Sequence, residues 1–409
     1  MDDVGATYAA LAPARARLAA ADAVVVADQI AVTEIPAPTG DERARAEWIG
    51  DRLRAAGVPD VRIDAVGNVV ARRPGTGSAG TAPVAVCAHL DTVFPREVST
   101  GVRADGARLV GPGIGDNGRG LAALLALAAT LDGDQVCTCR PVEFVATVGE
   151  EGLGDLGGAK YYFGQFAPDA RPAAVIVLDG PGDERVVHRA VGARRFRLTF
   201  RGPGGHSWGA FGTVNAVHAA ARAATRLADV ALPPGTAAGA GARVTLSVGR
   251  IGGGMSVNAI PAEGWLEVDL RATTARALDD YEAVVRRAAR AAANDENAVR
   301  SPGTSLLVAS VEVIGDRPAG ALAGDHPLVQ AALAATRLIG RTPQAGAAST
   351  DANVPLGLGV PAVAIGAGGR GGLAHTPGEW YENADGALGI ARALTIVCAA
   401  AGLAHAARA

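Results

Sequence analysis

The run Pro83-Val84-Ala85-Val86-Cys87-Ala88-His89-Leu90-Asp91-Thr92-Val93 decides how this chain folds. Its first half is apolar and β-branched over the length of a buried strand. A strand that stays apolar to its end and then delivers His-x-Asp sets two polar side chains at the rim of a sheet. His89 and Asp91 alternate with Leu90, so a period of two points both to one face. That placement suits a metal-ligating histidine with a carboxylate close by to hold it. An isolated His-x-Asp is also the pattern of a satisfied histidine at a strand end, so the rest of the chain must supply further ligands.

Working outward, the arrangement repeats. An apolar strand over 142–148 ends in Gly149-Glu150-Glu151-Gly152, and another over 173–178 ends in Asp179-Gly180. Between the first two strands, Gly111-Pro112-Gly113-Ile114-Gly115-Asp116-Asn117-Gly118-Arg119-Gly120 leads into an Ala/Leu helix reaching about residue 131. Near the far end, a strand over 360–365 and a glycine loop over 366–372 deliver His375-Thr376-Pro377. Apolar strands alternating with helices predict an α/β fold whose mostly parallel sheet is covered by helices on both faces. Such sheets keep functional residues at the carboxyl ends of their strands, where His89, Asp91, Glu150, Glu151 and Asp179 fall.

The pattern changes in the middle. Residues 194–200 alternate, a helix spans 214–228, strands cover 244–251 and 265–270, a helix covers 276–293, and a strand covers 306–314. That order is the one of a ferredoxin-like α+β module. The predicted division is a catalytic domain in two parts, 1–189 and 315–409, with an inserted domain over 190–314. The N-terminal stretch 7–33 reads as one or two amphipathic helices, and 61–70 as a hairpin bending at Gly67-Asn68.

At 409 residues the chain is long enough for two domains. A net charge of -3 without a long basic or acidic run argues against nucleic acid or an anionic membrane as partner. Four cysteines without framework spacing point to a reducing compartment, the cytoplasm. Met1-Asp2-Asp3 is acidic where a secretion signal is basic, and no stretch reaches the length of a membrane span.

His89, Asp116, Glu151, Asp179 and His375 thus gather, with Asp91 and Glu150 beside them. Two histidines and three carboxylates, one of them shared, suffice for two divalent ions roughly 3.5–4 Å apart. Asp116 is the choice for the shared ligand, because glycines on either side free its backbone. Glu150 and Glu151 are neighbours whose side chains diverge, so one can ligate while the other serves as general base. Asp91 would accept the second N–H of His89. Taken singly, Glu-Glu in a Gly-rich turn is a surface pattern, Asp179 a helix cap and His375 a turn residue. His188, His218, His326 and His405 have no such setting and read as structural or surface.

These motifs resemble the dizinc metallohydrolases that include peptidase T, carboxypeptidase G, aminoacylase-1 and succinyl-diaminopimelate desuccinylase. The likeness is carried by Ala88 to Val93, Gly115-Asp116-Asn117, Glu150-Glu151-Gly152, Leu178-Asp179, Gly204-Gly205-His206-Ser207, Asp269-Leu270-Arg271 and Ala374-His375-Thr376. The resemblance implies two Zn2+ per subunit, with Co2+ or Mn2+ as substitutes. His89, Asp116 and Asp179 would hold one ion, Asp116, Glu151 and His375 the other, with Glu150 as general base. It implies that the inserted module is a lid through which a homodimer forms, and that His206 stabilises the oxyanion in the partner's site. Asn258 and Arg271 would bind the substrate carbonyl and α-carboxylate, and Thr350 would contact substrate. A cis peptide at Asp116–Asn117 is implied as well. One departure stands out: relatives often carry Lys two residues after the shared Asp, where this chain has Gly118 and then Arg119.

The activity so implied is amide hydrolysis of di- and tripeptides by a metal-activated water. Deacylation of N-acyl amino acids, of the acetylornithine or succinyl-diaminopimelate type, is the next reading, and carbamoyl hydrolysis the third. Gly113-x-Gly115-x-x-Gly118 also fits a dinucleotide fingerprint, but Asp116 inside it would repel a pyrophosphate. A non-catalytic binding protein is opposed by the complete ligand set.

Overall fold

The computed structural model describes residues 3–78, 80–131, 136–233 and 243–404. The chain forms two compact units, Met1–Ala190 with Ala321–Ala409, and Val191–Gly320.

In the first unit the strand Val84–His89 lies inside the largest sheet. It pairs in parallel with Val142–Thr147 on one side and Ala174–Leu178 on the other. Ala362–Ile365 extends the parallel order beyond Ala174–Leu178. The flanks are mixed. Val69–Arg73 runs antiparallel to Val142–Thr147, and Asp60–Ile63 closes the hairpin. On the other flank Arg185–Ala190 is antiparallel to Ala362–Ile365 and parallel to Gln344–Ala348.

The unbroken apolar runs have a packing cause. Val84, Val86 and Ala88 enter one core while Ala85 and Cys87 enter the other. Val142, Phe144 and Ala146 face the first core and Val145 the second; Ile176 and Val177 divide likewise. The helices Arg43–Ala55, Gly118–Thr130 and Gly386–Ala401 fill the first face, and Gly157–Gly164 and Asn353–Gly357 the second. With each apolar side chain worth about 1.5–3 kcal/mol on burial, a strand covered on both sides cannot slip register without losing two cores at once. The N-terminal stretch forms three helices, Val4–Ala10, Ala12–Ala20 and Asp22–Thr33, rather than one or two.

A smaller antiparallel sheet joins Arg103–Asp105, Arg108–Val110, Trp380–Glu382 and Arg370–Gly372. It ties the segment leading to Asp116 to the segment that follows His375.

The second unit is a four-stranded antiparallel sheet in the order Val244–Gly253, Glu263–Ala272, Gly192–Arg201, Val308–Arg317. With the helices Ala216–Ala228 and Ala275–Ala298 this is the ferredoxin-like order. Phe196, Leu198, Phe200, Leu266, Val268 and Leu270 form its core with the helices. The unit runs on past 314 because Val308–Arg317 pairs with Gly192–Arg201 as far as Arg317 opposite Ala193.

Candidate metal centre

All the strand-end residues singled out from the sequence converge at one place in the first unit. His89 ends its strand opposite Thr147 and is 3% exposed. Its Nε2 lies 2.9 Å from Asp116 Oδ1. The other oxygen of Asp116, Oδ2, lies 3.2 Å from His375 Nε2, which is also 3.0 Å from Glu151 Oε1. Asp116 therefore stands between the two imidazoles, one carboxylate oxygen turned to each. One potential ligand atom from each of His89, Asp116 and Asp179 falls within a 4.8 Å group, and so does one from each of Asp116, Glu151 and His375. A third such group joins His89, Glu150 and Glu151.

Backbone contacts hold these segments in place. The peptide Asp116–Asn117 is cis. The Asn117 side chain donates to Leu178 O at 2.9 Å and accepts from Gly180 N–H at 3.1 Å, which fastens Asp116 beside Asp179. Asp91 meets His89 Nδ1 with its backbone oxygen as well as its carboxylate. The nearer partner of His89 Nδ1 is the Asp91 backbone oxygen, at 3.0 Å, with the carboxylate at 3.5 Å. The carboxylate also accepts the N–H groups of Glu150 and Glu151, both at 2.9 Å, and the Thr39 hydroxyl at 2.8 Å. The reason is local: the strand stops at His89, so strict alternation does not reach Asp91. His89 still gains from this arrangement, because a carbonyl at Nδ1 fixes the proton there and leaves Nε2 as the lone pair.

The electrostatics are those of a site built for cations. Burial opposes the charge on Asp116, yet the hydrogen bonds from His375 and His89 hold its carboxyl below the usual carboxylate range. Burial, reinforced by Asp116, pushes Asp179 up. Glu151 is pushed up as well, by burial first, against the pull of His89. Asp351, fully buried behind the cluster and bonded to the Thr147 hydroxyl, is raised to about 6 by burial. Carboxylates thus outnumber imidazoles, and buried charges of one sign are stable only when paired or bound to metal. The donor set, imidazole nitrogen and carboxylate oxygen, is what Zn2+ and its relatives take.

Metal must displace protons here. Asp116 foremost, with Glu151, raises His375 to about 9, so at pH 7 the metal-free imidazole is protonated, and a ligand must shed its proton to bind. Zn2+ binding at pH 7 is expected to release protons and to weaken as pH falls. Calorimetry in buffers of different ionisation enthalpy checks this; a heat independent of the buffer would contradict it.

The remaining predicted positions differ in setting. Thr350 is buried, and its hydroxyl accepts the N–H of Ala352 at 3.1 Å, shaping the turn before Asp351. Three others belong to the ferredoxin-like unit. His206 is exposed on a short strand paired with Ala259, and its Nδ1 accepts the N–H of Trp208 at 3.2 Å. The Asn258 carbonyl accepts from Ser207 N–H, and Arg271 Nε donates to Asp269 at 2.7 Å. Arg119 does not take the place of the relatives' lysine: it is buried and donates to the carbonyls of Ala367 and Gly386. A side chain at 118 is blocked, since a Cβ there would lie 2.3 Å from Thr33 Oγ1. His188 bonds the Leu322 carbonyl, His326 caps the helix Pro327–Leu338, and His218 is exposed; His405 lies outside the described residues.

Sequence reasoning missed Glu379. It is 1% exposed and accepts three backbone N–H groups, those of Gly113 at 3.0 Å, Gly115 at 2.8 Å and Asp116 at 2.7 Å. Burial foremost lifts its carboxyl to about 7 against those donors. The available signal was an acid four residues after His375 in a turn otherwise made of Thr, Pro and Gly.

The model of peptidase family M20/M25/M40 matches residues 85–398. A probable carboxypeptidase of Aspergillus terreus is 27% identical over 286 residues, covering 65% of this chain and 64% of its own length. A succinyl-diaminopimelate desuccinylase of Corynebacterium glutamicum is 25% identical, covering 63% of this chain and 68% of its own. Aminopeptidase PepT from Bacillus cereus shares the fold with a TM-score of 0.70 at 22% identity, over 92% of this chain and 98% of that one.

Proposed function

From the premise that the chain belongs to peptidase family M20/M25/M40, a family of metallohydrolases, we propose that it hydrolyses the amide bonds of di- and tripeptides as an exopeptidase. The observation that carries the reading is Asp116, whose two oxygens face His89 and His375. That arrangement supports a centre of two divalent ions, zinc first, with His89, Asp116 and Asp179 on one side and Asp116, Glu151 and His375 on the other. When bound, the ions supply Lewis acidity toward the amide carbonyl and acidify water.

The chain's own residues do the rest. Glu150 takes the proton of the attacking water on its carboxylate and hands it to the leaving amine. Asp91 holds the Glu150–Glu151 backbone through both N–H groups and so aims that carboxylate. By resemblance, the ferredoxin-like unit is a lid and dimer contact. His206 steadies the oxyanion in the partner's site, Asn258 and Arg271 take the carbonyl and α-carboxylate, and Thr350 touches substrate. Asp269 holds the Arg271 guanidinium by its Nε and leaves its terminal nitrogens to a carboxylate. No helix among the described residues is long and apolar enough to cross a membrane, and four cysteines without framework spacing favour the cytoplasm.

Deacylation of N-acyl amino acids is the second reading, favoured by the same Arg271, which suits any substrate ending in a free α-carboxylate. A panel of di- and tripeptides against N-acetyl and N-succinyl amino acids, with Zn2+, Co2+ or Mn2+ added, separates the two. Peptides are expected to show at least about tenfold higher kcat/KM, the equivalent of about 1.4 kcal/mol in transition-state binding. Preference for the acyl amino acids would replace the first reading with the second.

A further inference from the structure

The glycine stretch that mimics a dinucleotide fingerprint is already filled from within. The N–H groups of Gly113, Gly115 and Asp116 converge on the Glu379 carboxylate, Oε2 taking the first and Oε1 the other two. Backbone N–H groups turned into one concavity make an anion nest, and here the anion is a side chain of the same chain. The glycines serve that approach. Gly113 has φ +77°, where a Cβ would meet Thr92 Cγ2 at 2.7 Å, and a Cβ on Gly115 would press on Glu379 Oε1 at 3.1 Å.

Glu379 also sits where two ligand-bearing segments meet. It follows His375 by four residues, its backbone carbonyl accepts the N–H of Gly111 at 2.9 Å, and the next residue, Trp380, pairs with Val110. The carboxylate and the strand thus join the Asp116 loop to the His375 segment at two levels. No Lys or Arg pairs with Glu379 among the described residues, so the three backbone donors are its compensation.

We infer that Glu379 is a positioning residue that locks the Asp116 loop to the His375 segment, so that the ligands of both ions are assembled as one unit before metal arrives. This rests on the reading of Asp116 and His375 as metal ligands. A strut that only stabilised the fold would change melting temperature and nothing at the centre. The coupling predicts more: without the lock, Asp116 no longer presents its two oxygens to two ions together.

The test is Co2+ titration of the metal-free full chain, followed by d–d absorption, for wild type and Glu379→Gln. That substitution keeps the shape but replaces one acceptor with an NH2 facing backbone N–H groups. The wild type is expected to take two ions; in Glu379→Gln the second step should weaken at least about tenfold, the scale of losses at outer partners of metal ligands, with an altered absorption band. Unchanged titration and spectrum, with only a lower melting temperature, would overturn the inference. Should Glu379→Gln fail to fold, hydrogen exchange on the metal-free wild type decides instead. The amides of Gly113, Gly115 and Asp116 should exchange far more slowly than those of the exposed Arg96, Glu97 and Ser99, and equally fast exchange would overturn it. A wild type that binds no pair of ions would instead sink the metal reading itself.

Discussion

Asp116→Ala is expected to strip the protein of both ions at once. Wild type, purified with Zn2+ and passed through a desalting column, should retain two equivalents by mass spectrometry of the metal; the variant should retain almost none. The reason is geometric. Asp116 alone gives one oxygen to the His89 side and the other to the His375 side. Its removal costs each ion a ligand and takes away the anion that offsets their mutual repulsion. Since an outer partner of a metal ligand is already worth about 10–100-fold in affinity, a shared ligand should cost more than about 100-fold for each ion, and turnover should vanish with them. Asp41→Ala, which removes an exposed carboxylate paired with Arg96, should leave the metal content untouched. Loss of a single ion from Asp116→Ala, with the other held at wild-type affinity, would mean that the carboxylate does not bridge.

Glu150→Ala should separate chemistry from binding. Glu150 lies near His89 and Glu151, and its N–H is held by Asp91, but neither proposed ligand set needs its carboxylate. Two equivalents of metal should therefore remain while kcat falls about 10²–10⁴-fold, the usual worth of a positioned general base. KM should move little, because the lost interaction belongs to the proton transfer and not to substrate binding. A variant with near wild-type kcat would show that another group takes the proton; one that lost an ion would make Glu150 a ligand.

The sequence carried the architecture wherever burial left a simple pattern. Val84–His89, Val142–Thr147 and Ala174–Leu178 are packed on both faces, so their apolar runs read directly as parallel strands. Their carboxyl ends then pointed to His89, Glu150, Glu151 and Asp179. What could not be read follows from contacts made by backbone or across long separations. Arg185–Ala190 is short and half polar, and Gln344–Ala348 is made almost wholly of Ala and Gly, so neither has a β-branched run to mark it. Asp91 was assigned to His89 by strand alternation, but the strand ends two residues earlier, so its backbone oxygen is the nearer partner and its carboxylate also holds the backbone of Glu150 and Glu151. Glu379 answers to N–H groups more than 260 positions away, and no local periodicity records such a partner. Gly118 read as a missing lysine, whereas it is the residue that fits against Thr33.

The most direct test is diffraction from crystals grown with Zn2+, with anomalous differences collected at the zinc edge. Two peaks roughly 3.5–4 Å apart, with the Asp116 carboxylate between them and the imidazoles of His89 and His375 on opposite sides, are the expected result. A single peak, or two peaks neither of which touches Asp116, would contradict the shared-ligand centre.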